Sequence, residues 1–298
     1  MIFVVAIDPE SVRALIDQGE LGEDQLLGLF EALLQNCLLA ETVETWRIGI
    51  ELKESIKSIK DPGIKMRVNA LLETLGSPSK NRFVEAIYGY ENNWETSISE
   101  IIATQGENSE LDAVICEKPN ELSKVEFVSA LRFNASNFAR TRSRSACAVV
   151  YSPGTRIADD LLKEVFGRLV RHADSIEIFD KQAGKDFGPN YFEAIPHWCR
   201  FLRSVNRPIK LRIHTTKSQA KGIQSKFEDE LSDSMVRVSV TGHSEDEQPH
   251  ERFFRACGFT LEIGRGLDLF DRNGTCRDIK IGLSDHGSFE KNWKRLSG

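Results

Sequence analysis

Short apolar runs recur along this sequence and alternate with amphipathic stretches of helical period. Residues 2–7 (IFVVAI), 111–116 (LDAVIC), 175–179 (SIEIF), 209–214 (IKLRIH) and 236–241 (VRVSVT) are such runs. Runs this short are strands, and those without polar alternation are strands buried on both faces, as in sheets covered by helices. Alternation of such runs with helices predicts an α/β fold with a parallel or mixed sheet. The reading is two domains, a helix-rich α/β domain over residues 1–150 and a mixed-sheet α/β domain over 151–298, with the boundary near 145–155. A chain of 298 residues is long enough for both.

In the first half the strand at 2–7 runs into Asp8-Pro9-Glu10-Ser11, a helix start with proline in the first turn. Apolar spacing predicts helices over 22–40, 42–60, 62–76 and most of 80–105, then strands at 111–116 and 126–131. In the second half it predicts helices over 157–172, 189–205 and 216–231 between the strands named above. Two last strands, 259–263 and 279–283, read as a pair joined by a Gly-rich loop.

Charge separates the halves. Residues 1–150 hold 15 Lys+Arg against 23 Asp+Glu, net −8; residues 151–298 hold 24 against 22, net +2. The second half is the better place for an anionic partner. The opening MIFVVAIDPE has no basic segment and meets Asp8 after a short apolar run, so it reads as a strand and not as a secretory signal. No apolar stretch approaches the roughly 18 residues of a membrane span. The cysteines, Cys37, Cys116, Cys147, Cys199, Cys257 and Cys276, form no C-x-x-C pair and read as reduced thiols. A cytoplasmic protein is expected.

Residues 248–270, QPHERFFRACGFTLEIGRGLDLF, hold the most informative block. His250-Glu251-Arg252 is followed by an apolar strand and by Gly264-Arg265-Gly266-Leu267-Asp268-Leu269-Phe270. This block resembles the phospholipase-D-like C-terminal domain that follows the microtubule-interacting-and-trafficking (MIT) domain in some eukaryotic proteins. The resemblance extends over about residues 155–298, with Asp180 and His214 at the ends of preceding strands. It implies a mixed-sheet phospholipase-D-like fold without a metal. It implies His250 as the nucleophile on phosphorus, and Arg252, Arg265, Gly264 and Gly266 around the phosphate. Asp180, His214 and Asp268 would support them. A histidine is a workable nucleophile or acid–base near neutral pH, and a cation two residues along a strand faces the same phosphate. The sequence departs from the catalytic pattern in two places: Arg252 stands for lysine, and Cys257 stands where an aspartate is expected. Catalytic members use two such histidine motifs, so an active form implies a homodimer. Apart from catalysis, Asp180 either orients a histidine or caps a turn, and His214 is a half-buried strand histidine. For His172, His197, His243 and His286 no partner can be named from sequence.

The first half resembles the PIN-like nuclease arrangement, which gathers carboxylates at strand ends around Mg²⁺ or Mn²⁺. Asp8 and Asp112 match acidic positions of that pattern, with Glu41 or Glu44 between them. Asp8 reads equally as a helix cap ahead of Pro9. Arg132, Arg140, Arg142 and Arg144, interleaved with Phe133 and Phe138, suggest contact with a phosphate backbone and its bases; the alternative is a solvated loop. Together these features point to a nucleic-acid-directed phosphodiesterase, a nuclease-like effector of a bacterial defence or toxin kind. The alternative is a module that binds a phosphate, lipid head group or nucleic acid without chemistry.

Overall fold

In the computed structural model the described residues are 2–43, 46–77, 82–88, 100, 110–117, 125–142, 149–184, 190–284 and 289. The chain is α/β and divides into two compact units, Met1–Ser145 and Ala146–Gly298.

The first unit is built on five parallel strands: β1 (Phe3–Ile7), β2 (Cys37–Thr42), β3 (Phe83–Ile87), β4 (Ala113–Ile115) and β5 (Glu126–Val128). Their order is β3-β2-β1-β4-β5, so the winding reverses beside β1. In such sheets the crevice at the carboxyl ends of the two strands flanking the reversal is where ligands bind. The helices are α1 (Pro9–Ile16), α2 (Glu20–Asn36), α3 (Arg47–Ile56), α4 (Pro62–Leu75) and the short α5 (Asn137–Arg142). Two strands fall where the apolar spacing reads as helix. Every residue of β2 is buried, and β3 exposes only Glu85. A strand covered on both faces has no polar alternation, so over a few residues it cannot be told from the end of an apolar helix.

The second unit carries a seven-stranded mixed sheet: β6 (Val149–Tyr151), β7 (Ser175–Phe179), β8 (Ile209–Thr216), β9 (Val236–His243), β10 (Phe253–Ala256), β11 (Phe259–Ile263) and β12 (Ile279–Leu283). The order is β6-β12-β11-β10-β7-β8-β9. Strands β7, β8 and β9 are parallel, and the remaining neighbours pair antiparallel. Strand β10 is absent from the sequence reading. It forms a hairpin with β11 across Cys257-Gly258, where φ is 48° and 67°. Two positive φ values make the tight turn whose twist suits a hairpin. Position 257, where the catalytic pattern expects an acid, is therefore the corner of a hairpin.

Helices α6 (Ala158–His172), α7 (Asn190–Glu193), α8 (Ile195–Ser204) and α9 (Lys217–Leu231) accompany this sheet. The Phe166 ring of α6 lies 4.7 Å from Phe254 of β10 and 5.1 Å from Trp198 of α8. Helix α9 packs so close to β9 that a Cβ on Gly242 would come within 2.8 Å of the Lys217 Cα. From the same helix Gln224 accepts from the Val240 amide at 2.7 Å and donates to the Val238 carbonyl at 3.3 Å. Gln224 thus engages two backbone groups on the outer edge of β9 that would otherwise be open to another chain. Among the described residues no helix is long and apolar enough to cross a membrane.

Candidate functional site

In the second unit antiparallel pairing of β7 and β10 places Phe253 opposite Phe179, so Arg252 comes beside Asp180. Asp180 has no exposed surface. Its carboxylate accepts from the Leu267 amide and the Gln182 amide, each at 2.9 Å, and faces the Arg252 Nε at 3.3 Å. Burial pushes the Asp180 carboxyl above its ordinary value, against the opposing pull of the two amides and the guanidinium. The other two Arg252 nitrogens donate to the Gly264 carbonyl and to the Gln182 side-chain oxygen. Each guanidinium nitrogen is thus engaged inside the fold, and the Arg252 side chain is only 17% exposed.

The Gly264–Asp268 segment closes over this clamp. Its amides donate inward: Gly264 to the Lys280 carbonyl at 2.9 Å, Gly266 to the Ile263 carbonyl at 3.1 Å, and Leu267 to Asp180. Gly266 has φ 63°, and a Cβ there would lie 2.1 Å from Asp180 Oδ2 and 2.6 Å from Arg252 Cδ. Glycine is required by both the backbone and the space. Arg265 pairs with Asp268 at 3.1 Å and donates to the Asp278 carbonyl. Asp268, which burial pushes above its usual range, also holds Arg277 at 3.1 Å. The Trp198 indole N–H donates to the Leu267 carbonyl at 3.1 Å.

The structure therefore brings together Asp180, Arg252, Gly264 and Gly266, with Arg265 and Asp268 joined alongside. His250 stands apart. It is exposed and lies on a bend ahead of β10, which begins at Phe253. The shared strand face expected of His250 and Arg252 does not form, because neither residue is in the strand. Just upstream, the buried Gln248 ties its side-chain amide to the carbonyls of Thr215, His243 and Ser244 and holds the chain out of the sheet.

Sequence reasoning missed one polar pair. His214 of β8 and His243 of β9 meet at 3.0 Å between Nδ1 and Nε2. Their ring centroids are 5.3 Å apart and the planes differ by 21°. The rings therefore lie end to end, one nitrogen donating and the other accepting. The Phe179 ring stacks on His214 at 4.4 Å. Burial, then the neighbouring His243, Arg212 and Arg255, lowers the His214 pKa from 6.5 to about 4. The available signal was that both histidines close the exposed-face alternation of neighbouring parallel strands. His197 is buried 5.9 Å from the Phe270 ring, and His286 lies outside the described residues.

In the first unit Asp8 stands at the carboxyl end of β1, beside the reversal of winding. Its amide donates to the Ile115 carbonyl, and its carboxylate accepts from the Glu10 amide at 3.1 Å, capping α1. Asp112 immediately precedes β4 and lies beside Val4, near the other end of β1. It exchanges backbone and side-chain bonds with Val4, its Oδ2 accepting from the Val4 amide at 2.8 Å. Four residues of strand separate the two aspartates, about 13 Å at about 3.3 Å per residue. One Mg²⁺ or Mn²⁺ cannot be held by both, so the expected shared metal site does not fit these residues.

Glu41 is fully buried, and its carboxylate accepts from the amides of Thr42, Ile48 and Gly49 and from the Thr42 hydroxyl at 2.7–3.0 Å. It supplies the negative charge at the N-terminus of α3, a structural use of the helix dipole. Glu44 lies outside the described residues.

Phe133 and Phe138 are 2% and 0% exposed, the first packed beside Gly28 of α2 and the second fixed through its carbonyl to Asn36. They belong to the core and are not available to stack on bases. Arg140 is exposed and reaches Asn137; Arg144 and the side chain of Arg142 lie outside the described residues. Comparison with protein-family models finds no match to this chain, and a search of curated proteins finds none.

Proposed function

We propose that this chain binds phosphodiester ligands, nucleic acid foremost, and that its second unit does so without cleaving them. The observation that carries the non-cleaving reading is the clamp on Arg252. Its three nitrogens are spent on Asp180, Gln182 and Gly264, while His250 lies exposed and off the strand. A nucleophilic histidine needs a partner cation aimed at the same phosphate and a group that orients it. Here the cation is turned into the fold, and position 257 is a hairpin corner. What supports the ligand class is the basic balance of the second half and the likeness of the His250–Phe270 block to phospholipase-D-like domains, whose ligands are phosphodiesters.

The test is incubation of the purified chain with single- and double-stranded RNA and DNA, with and without EDTA, beside His250→Ala and Asp8→Ala. The expected result is retained binding and no cleavage by any form. Cleavage that survives EDTA and is lost in His250→Ala would restore the phospholipase-D-like chemistry, and a homodimer by light scattering would then be its required form. Cleavage lost in EDTA and in Asp8→Ala would place the chemistry in the first unit.

A further inference from the structure

The Arg252 clamp gives no role to the face of the seven-stranded sheet opposite the one on which α6 packs. Side chains alternate between faces along each strand, and residues opposite one another in register share a face. Phe254 points to α6, so its neighbours in sequence, Phe253 and Arg255, point to the other side. Register then carries that face across the sheet to Glu177, Arg212 and Ser239, to His214 and Thr241, and to Lys210 and Arg237. Phe289 covers its centre, with ring centroids 5.0 Å from Phe179 and 5.3 Å from Phe253. On β8 and β9, Lys210, Arg212, Arg237, Ser239 and Thr241 are all exposed.

One feature of this region is costly for the fold. Lys210 lies directly opposite Arg237 on the adjacent parallel strand. Like charges in that position repel, and strands stand only about 4.8 Å apart. Among the described residues neither cation has a carboxylate within ion-pair distance. Arg212 is one row further along the same face, its charge partly met by Glu177 at 3.5 Å, which also serves Arg255 at 3.1 Å. Three cations thus lie within about two strand spacings, flanked by the hydroxyls of Ser239 and Thr241. An anion laid between Lys210 and Arg237 would turn the repulsion into two attractions. Arginine, lysine, serine and threonine are the side chains that contact nucleic-acid phosphates. Membrane-binding surfaces instead set large apolar side chains beside their cations.

We infer that the β8–β9 face, through Lys210, Arg237 and Arg212, is a binding surface for the phosphate backbone of nucleic acid. This rests on the phosphodiester-binding reading and names its ligand and its site. In this proposal the ligand, not the protein, neutralises the Lys210–Arg237 pair.

The test is fluorescence anisotropy of the full chain with labelled single-stranded RNA, single-stranded DNA and duplex DNA, and sedimentation with phosphatidylcholine–phosphatidylserine vesicles. Three phosphate contacts predict that log affinity for a single strand falls with log salt at a slope of about −2. Lys210→Glu converts the repulsive cross-strand pair into an attractive one. It should weaken nucleic-acid binding by about tenfold or more while leaving the melting temperature unchanged or higher, a combination that a structural role would not produce. Arg237→Ser should weaken binding in the same direction. Lys163→Glu on α6 makes the same charge change elsewhere and should bind like wild type.

Wild-type affinity in both Lys210→Glu and Arg237→Ser would overturn the site and leave the phosphodiester-binding reading standing. Binding to the vesicles and to none of the nucleic acids would overturn the ligand and keep that reading. Binding to neither would overturn both.

Discussion

Gly264 and Gly266 belong to one sequence motif and should differ sharply in what an added methyl group costs. At Gly266 an alanine meets two penalties. The left-handed backbone, φ 63°, costs a residue with a side chain about 1–2 kcal/mol. The new Cβ also falls 2.1 Å from Asp180 Oδ2, 2.5 Å from its Cγ and 2.6 Å from Arg252 Cδ. Neither neighbour can yield by swinging into solvent, since Asp180 is fully buried and Arg252 is pinned at three nitrogens. Relief requires opening the buried pair, at about 3–5 kcal/mol. The smaller unfolded-state entropy of alanine returns about 0.4–1 kcal/mol. The sum is a loss of about 3–7 kcal/mol, a large part of the roughly 5–15 kcal/mol that holds a typical domain. At Gly264 the nearest atom to a new Cβ is the Lys280 carbonyl oxygen at 3.4 Å, and Gly264→Ala should cost about 1 kcal/mol or less.

Urea unfolding followed by tryptophan fluorescence reads this directly, because Trp198 is hydrogen-bonded to Leu267, the residue after Gly266. In an Asp180→Ala background the contact with the carboxylate is gone and only that with Arg252 Cδ remains, so Gly266→Ala should cost clearly less than in the wild-type background, falling toward its backbone cost of about 1–2 kcal/mol. A Gly266→Ala protein within about 1 kcal/mol of wild type, or equal losses at the two glycines, would refute the clamp as described.

Other consequences follow from the same contacts. Gly242→Ala, with no unusual backbone angle, should be destabilising by about 1–3 kcal/mol because its Cβ meets the Lys217 backbone at 2.8 Å; the urea midpoint measures it. Glu41→Ala leaves the α3 amides of Ile48 and Gly49 without their carboxylate and should cost about 3–5 kcal/mol, whereas Glu41→Gln, which keeps an acceptor, should cost less. With the His214 pKa lowered from 6.5 to about 4, the unfolded chain holds a proton in that interval that the folded chain does not. Stability should therefore fall as pH drops from about 6.5 toward about 4 and level off below, and His214→Gln should flatten this part of a melting-temperature profile. Burial pushes the Cys199 thiol to about 12 and raises Cys37 as well, so neither should react with iodoacetamide until the chain unfolds, as peptide mass mapping would show.

The α/β class was legible because the strands are short, apolar and separated by helices of clear amphipathic period. The parallel strands β7 and β8 alternate and stand between well-marked helices, and their limits were readable almost to the residue. Strands β2 and β3 were hidden because burial on both faces removes the alternation that distinguishes a strand from a helix. Strand β10 was hidden by its brevity, although Cys257-Gly258 between FFRA and FTLEI is a tight-turn signal. At the site, the residue types around residues 250–268 were visible, but their direction was not. Whether Arg252 faces a ligand or Asp180 depends on the β7–β10 register, a contact across 72 residues of sequence. The Asp8–Asp112 distance depended likewise on which end of β4 lies beside Val4. The Lys210–Arg237 pair required the β8–β9 register, which no local pattern encodes.

The most direct test of the account separates stability from affinity at Arg252. Arg252→Ala and Arg252→Lys are compared with wild type by urea unfolding and by anisotropy with labelled single-stranded RNA, at temperatures where each is folded. Both variants should clearly lose stability and bind RNA within about twofold of wild type, because this arginine holds Asp180 and the Gly264–Gly266 loop and not the ligand. An affinity lost in a variant that keeps wild-type stability would contradict it, and would place the phosphate at Arg252.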